Sequence, residues 1–370
     1  MTGKFKYLLT SWIFFILPGH TDGQEVKNHS VPWVAGSTIH TGFLINHHNN
    51  MKIFNEQIPY LFEMHIAKTT NGEKPWHSFY RNPQYGVSYM MIDLGSPSYL
   101  GKAHGIYPFL HFFLTPADRT VNMNMRIGAG VAYMKNIFDR MDNYKNMAIS
   151  THFNSILNFR MEGRVRVAAP MYLSGGWAFT HISNGTVKKP NAGLNYFTVF
   201  AGLNCAFGKE KIAKTTDHNF DIDRKWHYTI YLSGGVKTYT IFDDAKYIAS
   251  GLSLEASRSH LAFTRFSGTL DMFYDRSDYA YLRVENDMKI NKIQTVKPGL
   301  AVGYSFLFGD LTANVQIGRY FFARSRQYGM IYQRLALSYS INDRINVRFG
   351  LKTHWGQADY MELSIGYKIR

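Results

Sequence analysis

What most constrains this chain is an apolar alternation of period two, held over long segments and repeated to the C-terminus. In 121–133, Val121, Met123, Met125, Ile127, Ala129, Val131 and Tyr133 alternate with Asn122, Asn124, Arg126, Gly128, Gly130 and Ala132. The same split recurs in 300–308, 335–341, 347–355 and 361–369, the last two setting Arg348, Lys352, His354, Glu362 and Lys368 against Phe349, Leu351, Leu363 and Ile365. Successive side chains of a strand point to opposite faces, so each segment has one apolar wall and one polar or small wall. Strands of soluble sandwiches usually run about five or six residues, whereas a tilted strand crossing a bilayer needs about nine to eleven, the length seen here. Trp177, Trp226, Trp355 and Tyr360 near segment ends fit interfacial aromatic girdles. The sequence therefore predicts an all-β fold, an antiparallel transmembrane β barrel of about fourteen strands within a range of roughly twelve to sixteen. Asn342-Asp343 and Gly309-Asp310 mark turns, and the charged, non-alternating stretches 135–148 and 209–225 are expected to be loops outside the membrane.

Composition excludes the competing classes. With 45% hydrophobic and 18% charged residues among 370, the chain is too apolar for disorder. Beyond the N-terminus no apolar run approaches the roughly 20 residues of a membrane-spanning helix. Lys4 and Lys6 precede an apolar stretch from Tyr7 to Leu17 and a helix-breaking Pro18-Gly19, the form of a secretory signal peptide. We take 1–23 as that signal and 24–370 as an outer-membrane barrel domain. Lys and Arg number 41 against 26 Asp and Glu, a formal +15 that favours an anionic partner: nucleic acid, phospholipid headgroups or lipopolysaccharide phosphates. Export removes nucleic acid from that set. The single cysteine, Cys205, permits no intramolecular disulfide and reads as a small apolar side chain beside Leu203, Ala206 and Phe207.

The stretch that carries chemistry is 175–203. Alternation sets Trp177, Phe179, His181 and Ser183 on one strand face and Ala178, Thr180 and Ile182 on the other. After a turn, Gly193, Asn195, Phe197, Val199, Ala201 and Leu203 share a face, with Leu194, Tyr196, Thr198 and Phe200 opposite. A hairpin centred near residue 188 pairs His181 with Asn195 across the strands. A hydroxyl two residues from an imidazole on one face, with a hydrogen-bonding side chain opposite, is a nucleophile, base and orienting residue in outline. Solvated polar residues at the end of a barrel strand would look the same.

At these positions the sequence resembles the PagL-type lipid A 3-O-deacylases, outer-membrane barrel esterases whose signature runs H-x-S-N, a short basic stretch, then P-N-x-G and an acidic residue. The match reads His181-Ile182-Ser183-Asn184, Lys188-Lys189 and Pro190-Asn191-Ala192-Gly193-Leu194, with the same spacing over about fifteen residues. The resemblance implies a cofactor-free, metal-free ester hydrolase of the bacterial outer membrane that removes an acyl chain from lipid A or a similar lipid. In it Ser183 attacks, His181 takes the proton, and Asn191, with Asn184, donates to the oxyanion. It likewise implies an acyl chain lying against Phe179, Phe197 and Val199 and headgroup phosphates meeting Lys188 and Lys189.

Two departures stand out. The family's third catalytic position is typically glutamate; here it is Asn195, which orients an imidazole but cannot neutralise it, and Glu162 is the nearest carboxylate in sequence. The family's barrels have eight strands, and this chain is about twice as long as that requires, so its extra strands are expected either to carry a second role or to enlarge the barrel. A non-catalytic barrel that binds or passes an amphiphile through its lumen is the alternative from another class. His47-His48 and Asp217, His218, Asp221 and Asp223 are metal-ligating residue types, for which a solvated polar loop is the simpler account. Neither a GxSxG nor an HExxH motif is present.

Overall fold

A computed structural model of the chain describes residues 29–30, 33–116, 119–208, 211–212, 220–242, 244–285 and 288–369. The expected signal segment, and 209–210 and 213–219 of the expected loop, lie outside the described residues. Long alternating segments become long strands. After β1 (His29–Ser30), eight antiparallel strands close on themselves: β2 (Trp33–Leu44), β3 (Tyr60–Thr69), β4 (Gln84–Asp93), β5 (Lys102–Phe113), β6 (Val121–Met134), β7 (Phe153–Ala168), β8 (Met171–Ser183) and β9 (Leu194–Phe207). A two-residue β10 (Lys211–Ile212) pairs with β1. Eight further strands close a second barrel: β11 (Trp226–Thr238), β12 (Lys246–Leu261), β13 (Thr264–Asp275), β14 (Lys297–Phe308), β15 (Leu311–Tyr320), β16 (Ile331–Ser340), β17 (Ile345–His354) and β18 (Gln357–Lys368). Each barrel is the body of one of two compact units. No helix among the described residues is long and apolar enough to cross a membrane.

The all-β, antiparallel barrel class is as the alternation predicts, and among the described residues the barrel strands number sixteen, the top of the expected range. They do not close as one enlarged ring. β9 returns to pair with β2 along the whole of that strand, from Trp33↔Phe207 to Leu44↔Tyr196, while β18 pairs with β11 from Thr229↔Lys368 to Gly234↔Leu363. Alternation fixes which face a residue takes; it carries no information on which two strands meet to close a ring.

Both barrels are inverted relative to a soluble protein. Outward residues such as Ile39, Val302 and Ile365 are 64%, 61% and 62% exposed, whereas Glu63, Arg160, Arg334 and Glu362 point inward at 0%. An eight-stranded ring is just wide enough for side chains to fill it, and charges there must be paired. In the first barrel Glu63 pairs with Arg126, with Arg160 at 3.4 Å and with His40 at 3.3 Å, and Glu162 joins Arg160 at 2.6 Å and Arg164 at 3.0 Å. In the second, Lys237 bridges Asp359 and Asp275, Lys352 lies 2.8 Å from Asp359, and Arg334 links Asp271 and Glu362 at 3.2 and 2.8 Å. At one end of the first barrel an apolar cluster replaces the ions: Leu44, Met51, Phe54, Leu94, Ala148, Ile149, Ile182 and Leu194 are buried together. Met51, Phe54, Ala148 and Ile149 come from the loops that follow β2 and β6, so these loops fold inward over the end of the barrel.

Glu63→Ala strips the buried Arg126 of its carboxylate partner while Arg160 keeps Glu162, and is expected to destabilise the first barrel by about 3–5 kcal/mol. Removing the exposed Lys102, 4.0 Å from Asp93, should change stability by less than about 1 kcal/mol. Urea unfolding in lipid vesicles, followed by tryptophan fluorescence, checks the contrast; equal effects would contradict it.

Candidate active site

The site sits at the apolar-capped end of the first barrel. β8 and β9 pair in one unbroken register from Met171↔Cys205 to Ile182↔Leu194, which sets His181 opposite Asn195 and Phe179 opposite Phe197. Ala178, Thr180, Ile182, Leu194, Tyr196 and Thr198 face inward at 0% exposure. His181, Ser183, Asn195, Phe179 and Phe197 therefore take the outward parity, with Val199 55% exposed further along the same wall. Ser183, at the last position of β8, is itself only 5% exposed.

Three side chains form a hydrogen-bonded line. Ser183 Oγ lies 2.9 Å from His181 Nε2, and Asn195 Oδ1 lies 2.6 Å from His181 Nδ1. Because an amide oxygen only accepts, Nδ1 of His181 carries its proton toward Asn195, which leaves the Nε2 lone pair for the serine hydroxyl. Below the line lies an aromatic wall: Trp177 stacks on Phe197 at 5.7 Å, Phe159 lies 5.6 Å from Trp177, and Phe43 lies 5.8 Å from Phe197.

The turn after Ser183 is held from outside the hairpin. Ala192 and Gly193 donate their backbone N–H groups to the carbonyls of Met147 and Ala148 at 3.2 and 3.0 Å. Asn184 is buried, and its side-chain amide donates to Ser150 Oγ at 3.2 Å. Its backbone N–H donates to Asn191 Oδ1 at 3.1 Å, which turns the Asn191 NH₂ group away from the Asn184 backbone. Gly193 adopts φ +76°, and a Cβ there would fall 3.1 Å from His181 Cε1 and 3.4 Å from Ser183 Cβ. That position tolerates no side chain without moving the imidazole.

Sequence reasoning missed two features, a strap beneath the turn and the contact of His47 with the line. The stretch 135–148 contains the loop predicted between β6 and β7, but with residues 149–152 it is a strap under the site, supplying Met147, Ala148 and Ser150. Glu162 points into the barrel, bound by Arg160 and Arg164, on the face opposite His181; its even position on β7, paired with Gly176, fixes this. Lys188 and Lys189 belong to a segment, 185–189, that groups with the C-terminal compact unit. His47 meets the line directly: Asn195 Nδ2 is 3.2 Å from its Nδ1, and its Nε2 is 2.9 Å from the Ala192 carbonyl oxygen. Its loop is tied down by Glu56, which accepts from Ser96 Oγ at 2.9 Å and from the Ser98 N–H at 3.0 Å. Burial acts to raise the Glu56 pKa, and the hydrogen bonds from Ser98 and Ser96 outweigh it, leaving the carboxyl below the usual range. Of the acidic cluster, Asp217 and His218 lie outside the described residues, while Asp223 accepts from His227 Nε2 at 2.9 Å.

The family model described as lipid A 3-O-deacylase (PagL) matches residues 61–204, and that of the acyloxyacyl hydrolase C-terminal domain matches residues 226–370. No curated protein matches the chain. Among solved structures, neisserial surface protein A is similar at TM-score 0.34 and 11% identity, over 49% of this chain and 99% of that one. The KdgM porin is similar at TM-score 0.19 and 7% identity, over 72% and 94%. A mutant Rh. blastica porin gives 0.18 and 8%, over 91% and 99%.

Gly193→Ala should lower ester hydrolysis by about tenfold to a hundredfold, because displacing a catalytic group by a fraction of an ångström is enough for losses of that order. The control is Gly329→Ala, at φ +84° with nothing within 4 Å, which carries the same backbone strain without the ring contact. Rates on a chromogenic ester in detergent, compared for the two variants, decide; equal losses would contradict the ring contact.

Proposed function

Because this chain belongs to the PagL family of lipid A 3-O-deacylases, we propose that it cleaves an ester-linked acyl chain from lipid A with Ser183 as nucleophile and His181 as general base. At the family level it is an acyl-removing hydrolase of the bacterial outer membrane, with lipid A as substrate. The observation that carries the finer reading is the 2.9 Å contact between Ser183 Oγ and His181 Nε2 on the outward parity of the first barrel.

His181 Nε2 takes the Ser183 proton as Oγ attacks the acyl carbonyl, and the resulting oxyanion accepts from the Asn191 NH₂ group. Asn184 acts behind it, its N–H fixing the Asn191 amide. The tetrahedral intermediate collapses by expelling the sugar oxygen, which leaves with the proton held on His181. Water, deprotonated by the same nitrogen, then releases the fatty acid and restores the serine. The acyl chain carried by Ser183 lies along Phe179, Phe197 and Val199 on the outward wall. A groove of about 340 Å³ lined by Asn49, Asn50, Ile53, Lys145 and Met147 adjoins the strap, offering amides for sugar hydroxyls and an ammonium for a phosphate.

Asn195 performs the orienting half of the usual carboxylate's work. In a serine protease the carboxylate-to-amide change costs about 10⁴ in turnover because the imidazole takes the wrong tautomer. Asn195 presents its oxygen to His181, so only the charge is missing. Passage of an amphiphile through a lumen is disfavoured by the paired charges that fill both interiors.

Incubated with lipid A and followed by mass spectrometry, the wild-type protein should remove one acyl chain and Ser183→Ala none; loss with both, or with neither, removes Ser183 from its role. Asn195→Glu should raise kcat about tenfold, equivalent to about 1.4 kcal/mol of added imidazolium stabilisation. An unchanged or lower kcat would mean the amide is not standing in for a carboxylate.

A further inference from the structure

An amide is symmetric in shape and opposite in function at its two ends. If Asn195 were turned over, its NH₂ would face His181 Nδ1, the imidazole would carry its proton on Nε2, and that nitrogen would donate to Ser183 rather than accept from it. Nothing within the line of Ser183, His181 and Asn195 decides between these states, because a hydroxyl both donates and accepts. The decision has to come from the far side of Asn195, where His47 stands.

We infer that His47 is a positioning residue that sets the hydrogen-bond polarity of the whole line. A backbone carbonyl only accepts, so the 2.9 Å contact with Ala192 O puts the His47 proton on Nε2. Nδ1 of His47 is then a lone pair and accepts from Asn195 Nδ2 at 3.2 Å. With its NH₂ engaged there, Asn195 turns Oδ1 to His181 Nδ1 at 2.6 Å, and His181 offers Nε2 to Ser183 Oγ at 2.9 Å. Each donor feeds one acceptor from the serine hydroxyl to the Ala192 carbonyl. His47 Nδ1 also lies 3.2 Å from the Ile45 carbonyl. A proton on Nδ1 would serve that contact but oppose the Nε2 lone pair to the closer Ala192 oxygen, so the Nε2–H form keeps the shorter contact. The backbone delivers the ring to this point: Ile45 N–H donates to Asn195 O at 2.8 Å, extending the β2–β9 ladder one step past Leu44. His47 precedes the residues matched by the deacylase family model, and a glutamate at position 195 would need no such partner, since both of its oxygens accept.

This rests on the Ser183 and His181 assignment, and the test separates the two. His47→Ala should lower kcat on lipid A by about tenfold to a hundredfold with KM unchanged, and the same change in an Asn195→Glu background should cost less than about threefold. His47→Gln, whose side-chain oxygen can take the same hydrogen, should recover part of the loss. Independently of turnover, nitrogen-15 shifts of labelled histidines in micelles should report His181 as the Nδ1–H tautomer in the wild-type protein and as a mixture in His47→Ala. Equal losses in both backgrounds, an unaffected His47→Ala, or a His181 tautomer that ignores position 47 would overturn the inference while leaving Ser183→Ala to judge the esterase reading. Heat-modifiable migration on gels verifies that each variant retains its barrel.

Discussion

A strand closed into a narrow barrel in a bilayer leaves each side chain two destinations, a lumen that must be filled or the lipid. The rest of the structure depends on that choice. Eight strands leave no room for a substrate within the ring, so charges placed inside serve each other, as Glu63, Arg126 and Arg160 do. Chemistry on a lipid must then stand on the outer wall, at the depth where a polar group can meet both water and headgroup. The site proposed here stands at the end of β8 in the first barrel, on its outward parity.

Holding a polar line on an outer wall requires support that the hairpin alone does not give. Beneath the site the apolar cluster of Leu44, Met51, Phe54, Ile149, Ile182 and Leu194 anchors the inward faces of β8 and β9. From the side, the 147–150 strap fixes the turn through backbone hydrogen bonds and Ser150, while the β2 extension brings His47 against Asn195. A short sequence motif thus acts only because three distant segments converge on it. The amide at position 195, with two unlike ends, depends on that convergence more than a carboxylate would.

Much of this was legible in the sequence because its signals are local. Parity along a strand follows from adjacent residues, so the outward placement of Trp177, Phe179 and His181 could be read directly. The hairpin register could be read as well, since a turn centred near 188 fixes every pair from His181↔Asn195 to Met171↔Cys205. What escaped was non-local. Ring closure depends on which distant strands meet, so one large barrel and two of eight strands have the same alternation. The strap at 147–150 has no periodicity to announce it, and His47, noticed as a metal-ligating type, finds its partner 148 residues away. Glu162, near in sequence and chemically apt, is excluded by the parity that makes the rest readable.

The central claim, that one serine on the outer wall is the nucleophile, is tested most directly by trapping it. A lipid-tailed fluorophosphonate reacted with the protein in micelles should leave a single covalent adduct, located by peptide mass spectrometry on Ser183 and absent when His181 is replaced by alanine. An adduct on another serine, or undiminished deacylation of lipid A by protein fully modified at Ser183, would contradict the account.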